Sequence, residues 1–210
     1  MPKTKTYQDA FLDEVRDTYD AEKQIVKALP GMIRSATSEE LRAGLEEHLG
    51  ETRVQVERLE RVFEMLGEKP RGKHCAGMAG ILEEGKSVLE EEFDEATTDA
   101  CIIASGQRVE HYEFAAYGTL VAWARAIGHD EAVALLEETL EEEKAADEKL
   151  SAVAESINAE AASNGEGDDE GTDEGEDEAI DEEEPTEKKG AKTSSGNGAQ
   201  RRAPAQAKRR

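Results

Sequence analysis

Cysteine and aromatic residues are scarce in this 210-residue chain, and its bases are far outnumbered by acids. Its two cysteines, Cys75 and Cys101, stand alone with no paired spacing, which argues against a disulfide framework or a zinc ribbon and leaves reduced thiols as the expectation. Lys and Arg number 26 against 50 Asp and Glu. A folded domain so acidic lacks the basic footprint that phosphate contacts require, so nucleic acid is not its expected main partner. No stretch approaches the roughly 20 apolar residues of a membrane span. The opening Met-Pro-Lys-Thr-Lys-Thr has no apolar run behind it, so no signal peptide is expected and the reading is a cytoplasmic protein. Strand alternation, a Gly-rich phosphate loop, a Cys-x-x-Cys pair and a Ser or Cys nucleophile signature are missing as well.

What is present divides the chain in two: a helical domain over residues 1–161 and a tail over 162–210. The tail is Gly, Ser, Asp, Glu, Lys and Arg with almost no large apolar residue, too little to offset the entropy of ordering, so it reads as disordered. Glu166 to Glu187 carries 14 acids and no base, and Lys188 to Arg210 carries 8 bases and no acid. The basic end, Arg201-Arg202 and Lys208-Arg209-Arg210, can make weak nucleic-acid contact or fold back on the acidic run.

Helical periodicity predicts four long helices and one short one. The first runs from Thr4–Thr6 to about Leu29, with Pro30 as its stop. Phe11, Val15, Tyr19, Glu22, Val26 and Leu29 form its inward line. Thr37 with Glu40 reads as a capping box for the second helix, which ends near Leu66 before Gly67. Its apolar side includes Leu41, Leu45, Leu59 and Phe63, with His48, Glu51 and Gln55 alongside. A shorter helix, Cys75 to about Glu92, serves as a crossover. Thr97-Thr98-Asp99 caps the third long helix, which ends at Ile127-Gly128. Trp123 and Phe114 are expected to fill the core or a dimer seam, with the core preferred at this spacing. Asp130 caps the last helix, which runs to about Ile157 on the line Val133, Leu136, Leu140, Glu143, Asp147, Leu150 and Val153.

Acids interrupt each of these apolar lines. Glu110 and Glu113, three apart in Gly106-Gln-Arg-Val-Glu-His-Tyr-Glu-Phe-Ala-Ala-Tyr-Gly-Thr-Leu120, lean toward one point between helices. Glu22, Glu51 and Glu143 bring carboxylates from the other three long helices, with His48 and Asp147 in reach. An ionised carboxylate is costly in a core unless it is paired, protonated or bound to a cation. Carboxylates from four helices meeting at one depth are the arrangement of a dinuclear iron or manganese centre, where they cancel the repulsion between two cations. Glu22, His48, Glu51, Glu110, Glu113, Glu143 and Asp147 are therefore the candidate metal ligands. A second reading is a metal-free structural or partner-binding bundle, its inner acids held by Arg108, Tyr19, Tyr117 and Gln55.

Tyr19-Asp-Ala-Glu-Lys-Gln24, His48-Leu-Gly-Glu-Thr52 with Gln55-Val-Glu-Arg-Leu59, Glu110-His-Tyr-Glu113 with Tyr117-Gly-Thr-Leu120, and Glu143-Lys-Ala-Ala-Asp147 together resemble the YciE/YciF-type family of stress-associated proteins. The resemblance spans roughly residues 5–157. It implies a ferritin-like four-helix bundle, commonly a homodimer, with a rubrerythrin-like di-metal site; ferroxidase or peroxide-scavenging activity is the chemistry expected of such a metal centre. The broader ferritin-like pattern places Glu-x-x-His on the second and fourth helices. Here Val54 and Ala146 occupy the +3 positions, His48 precedes Glu51, and Asp147 stands one place further on. His111 points about 100° away from Glu110 around the helix and is assigned a supporting or interface role.

Overall fold

The computed structural model describes residues 4–165, and every regular element among them is helical. Five helices follow in order: α1 Tyr7–Ser35, α2 Glu39–Met65, α3 Ala76–Val88, α4 Glu95–Ile127 and α5 Asp130–Gly165. α5 continues through Ala162, Ser163 and Asn164 to Gly165, so these first residues of the expected tail are helical. The rest of the tail lies outside the described residues.

Local chemistry explains the helix ends, and in three places it departs from expectation. A capping box opens α1, with the Thr6 hydroxyl accepting from the Asp9 N–H and the Asp9 carboxylate accepting from the Thr6 N–H. Pro30 does not stop α1 but sits inside it. Its fixed φ is compatible with a helix, and the lost hydrogen bond is offset by burying Met32 and Ala36 one turn further on. The residue capping α2 is Ser38 rather than Thr37, its hydroxyl accepting from the Leu41 N–H. Thr37 is instead held by Asp99, whose carboxylate accepts from the Thr37 N–H and hydroxyl and from the Ser38 N–H at 2.7–2.9 Å. Asp99 is thus a buried tie between the α1–α2 turn and α4, and the cap of α4 falls to Asp94. Gly67 and Gly128 adopt positive φ, 68° and 78°, after α2 and α4, which a side chain would oppose.

The start of α1 meets the end of α4 where Tyr7 packs on Trp123, and the end of α1 meets the start of α4 at Thr37–Asp99. Arg58 reaches Glu138 and Glu142, while Lys149 reaches Glu47, so α2 and α5 also run antiparallel. Around the bundle the neighbours are α1–α2, α2–α5, α5–α4 and α4–α1. The diagonal helices α2 and α4 are parallel, which requires a crossover, and residues 66–94 with α3 supply it. Lys73 donates its N–H to the Arg16 carbonyl and Cys75 its N–H to the Asp20 carboxylate, pinning the crossover along α1.

The core has two separate apolar clusters. One gathers Phe11, Val15, Leu59, Phe63, Leu120 and Leu136 among others. The second gathers Ile25, Leu29, Leu41, Leu45, Met78, Ile102 and Val109 among others. Trp123 is half-buried and packs on the first; Phe114 is half-buried and lies beside the His111 ring. Between the clusters lies a polar layer of Glu22, His48, Thr52, Gln55, Glu110, Glu113 and Glu143, all buried.

Candidate metal centre

Each long helix feeds the polar layer because an acid or imidazole replaces an aliphatic residue on its inward line. Fractional exposure is 0 % at Glu22 and Glu143, 1 % at Glu113, 2 % at Glu110 and 7 % at His48. His48, Glu110, Glu113 and Glu143 each offer a ligand atom, and these atoms lie within 4.8 Å of one another. Glu22 belongs to the same buried layer, its Oε1 accepting from the Tyr117 hydroxyl. Glu51 and Asp147 are at the rim. A Glu51 oxygen is 3.9 Å from His48 Nδ1 and another is 3.9 Å from Lys149 Nζ, with the side chain 30 % exposed. Asp147 accepts from Gln107 at 3.3 Å and lies 3.5 Å from His111 Nε2. His111 itself is exposed, packed beside the Phe114 ring and turned toward Asp147.

Electrostatics distinguishes this layer from an ordinary polar core. Burial pushes the Glu22 carboxyl up to about 7 and Glu110 up to about 8, from an ordinary 4.5. Glu113 and Glu143 are driven well above the carboxylate range, by burial first and then by the surrounding carboxylates. Burial, with Lys149 adding to it, lowers His48 to about 4, so the ring is neutral and its lone pair free near neutral pH.

The protein's own cations do not answer this charge. Arg58 gives both terminal nitrogens to the Glu142 carboxylate at 2.6 Å, with further contacts to Glu138 and Thr139. Among the described residues no Lys or Arg forms an ion pair with Glu22, Glu110, Glu113 or Glu143. Both oxygens of Glu113 and Glu143, Oε2 of Glu22 and of Glu110, and both ring nitrogens of His48 are buried without a hydrogen-bond partner. Buried polar atoms are ordinarily satisfied, so a cluster of orphans around one point fits a cation. The donor set of carboxylates with one imidazole suits iron or manganese.

Of the residues assigned from sequence to hold the acids without metal, only Tyr117 does so, donating its hydroxyl to Glu22. Tyr19 donates to Glu60, Gln55 donates to Glu142, and Arg108 is exposed near Glu84. The sequence reading missed Arg58 and Glu142. Their signal was an arginine three positions after Gln55 on the α2 face that meets α5.

Four antiparallel helices around a buried carboxylate–imidazole layer define a ferritin-like bundle. The chain belongs to the family described as Domain of unknown function (DUF892), whose model matches residues 6–163. It is 42% identical over 159 residues to Protein YciF of Escherichia coli (strain K12), covering 75% of this chain and 96% of that one. The crystal structure of the E. coli stress protein YciF superposes with a TM-score of 0.72 at 41% identity, over 74% of this chain and 99% of that one. YcfI from Rhodopseudomonas palustris matches with a TM-score of 0.70 at 48% identity, over 71% of this chain and 96% of that one. A protein from Xanthomonas campestris pv. campestris, 23% identical with a TM-score of 0.61 over 76% of this chain and 98% of that one, shares the fold. Among the described residues no helix is long and apolar enough to cross a membrane.

Proposed function

We propose that this chain is a stress-associated ferritin-like protein whose midplane holds a dinuclear iron or manganese centre. The stress association comes from its likeness to the E. coli stress protein YciF. The observation that carries the metal reading is the set of orphaned donors on Glu22, His48, Glu110, Glu113 and Glu143, buried at one depth and unanswered by any protein cation. Two divalent ions would balance the four inner carboxylates, with Glu51, 3.9 Å from His48 Nδ1, and Asp147 as the further proposed ligands.

Such a centre, once bound, supplies one- and two-electron chemistry toward Fe(II) or peroxide. The chain's own contribution is positional. Tyr117 orients Glu22 through its hydroxyl, and neutral His48 presents a lone pair. The bidentate Arg58–Glu142 pair keeps the one nearly buried guanidinium from competing for the inner carboxylates.

Elemental analysis of protein purified without chelator tests the reading. About two iron or manganese ions per chain are expected, as in di-metal carboxylate bundles, with loss of metal in the Glu110→Gln/Glu143→Gln double variant. A metal-free chain whose melting temperature ignores Fe(II), Mn(II) and chelator alike overturns it.

A further inference from the structure

On the second-cluster side of the polar layer lies a cavity lined chiefly by Ile25, Leu29, Leu41, Leu45, Val109 and Leu150. Its buried end touches His48 and Glu110, two of the orphaned donors; its outer edge carries Glu40, Gly44, Glu51 and Lys149, all exposed or half-exposed. The free space is about 40 Å³, room for a molecule of a few atoms. Bulky organic substrates do not fit. A polar or charged molecule would give up its water for an aliphatic wall, which is costly without hydrogen-bond partners.

Gly44 supplies a second observation. It lies in the interior of α2, where glycine weakens a helix relative to alanine. Its φ is not in the left-handed region, and a Cβ built on it meets nothing within 4 Å. Neither backbone conformation nor packing demands glycine there. What the missing side chain leaves is space at the rim of the cavity.

We propose that this cavity is the route by which a small, neutral, apolar molecule of the dioxygen class reaches the centre, and that Gly44 keeps its mouth open. The assignment rests on the metal reading above for its purpose, and it selects among ligands of that site by size and polarity.

Xenon is the probe, because dry apolar cavities bind it and it needs no metal. Metal-free protein is pressurised with xenon and methyl and ring resonances are followed by NMR. The expected result is xenon-induced shifts of the Leu41, Leu45, Val109 and Leu150 methyls and of the His48 ring C–H, all lost in Gly44→Leu. Absence of shifts in the unsubstituted chain overturns the proposal. Shifts that leave the His48 ring unmoved, or that persist in folded Gly44→Leu, do the same. If Gly44→Leu does not fold, Val153→Phe, which fills the cavity from α5, decides by the same criteria. Metal content, measured separately, judges the di-metal reading, so xenon binding in a chain that takes up no metal sinks that reading and leaves an apolar cavity.

Discussion

His48 Nε2 lies 3.3 Å from Glu110 Oε1, imidazole on α2 facing carboxylate on α4 across the bundle, and neither ring nitrogen has a hydrogen-bond partner. Burial holds the ring neutral and the carboxyl protonated near neutral pH, so the pair does not form an ion pair on its own. Their closeness therefore adds little to the stability of the metal-free bundle and becomes favourable when a cation sits between them.

Glu110→Gln separates these two situations. The amide keeps the shape and removes the ionisable group, so the metal-free variant should melt at or above the unsubstituted chain at pH 8. Its stabilisation by Mn(II) should shrink by about 1.4 kcal/mol for each tenfold loss of affinity at saturating Mn(II). Thermal melts with and without Mn(II) check both parts. A variant that loses metal-free stability at pH 8 contradicts the electrostatic account.

The pH profile of the metal-free chain has a sign fixed by the same burial. Glu22 and Glu110 have folded values of about 7 and about 8 against an ordinary 4.5. Their stabilising contribution is full below about pH 4.5 and is lost as pH rises through about 7 to 8. His48 works oppositely, with a folded value of about 4 against 6.5, so its contribution is full above about 6.5 and fades as pH falls through about 4. Between about pH 6.5 and 8 only the carboxyls act, and the melting temperature of the metal-free chain is predicted to fall there. A rise across that window, measured by circular dichroism in the presence of chelator, counts against the scheme.

Arg58 is predicted to be structural. Arg58→Met leaves Glu138 and Thr139 without its nitrogens and Glu142 with only the Gln55 amide, at a cost of about 2 kcal/mol, below the value for a fully buried pair because Glu138 is exposed. Metal stoichiometry should not change. Denaturant unfolding together with elemental analysis tests the split, and loss of metal with unchanged stability would reassign Arg58 to the centre.

Asp99 ties the α1–α2 turn to α4 through two backbone N–H groups and one hydroxyl. Asp99→Ala is expected to destabilise the fold by about 3 kcal/mol, since charge-assisted bonds at a buried site are lost and their donors orphaned. Urea denaturation should show a lower midpoint with an unchanged slope. A midpoint shifted by only a few tenths of a molar in proportion to a sub-kcal change would show that water replaces the carboxylate.

Much of the architecture was readable because helical period is a strong signal. Glu22, Glu110, Glu113 and Glu143 were identifiable as inward acids because Leu, Val and Phe flank them at three- and four-residue spacing, and the structure buries all four. Glu51 and Asp147 satisfied the same arithmetic yet lie at the rim, since one helical step turns a side chain by about 100° and spacing alone does not fix which edge of a stripe faces inward. Helix ends were less legible. Thr37 and Asp99 each carry the composition of a cap, but they bond to one another across 62 positions of sequence, a tertiary choice that no local pattern encodes. Pro30 misled for a related reason, because the packing of Met32 outweighs one missing hydrogen bond. Arg58 stands three positions after Gln55 on the buried side of α2, but its pairing with two acids of α5 is a tertiary choice that no local pattern encodes.

The division of the interior into two aliphatic clusters has an effect on how the molecule tolerates change. Phe11 and Leu120 share no packed patch with Ile25 and Met78, so a void opened in one half is screened from the other by the acidic floor between them. Truncations placed one in each half should therefore combine by simple addition, whereas two in the same half should not. Sequence drift can then proceed in the two ends of the barrel as if they were separate small proteins, held in common only by the storey that divides them.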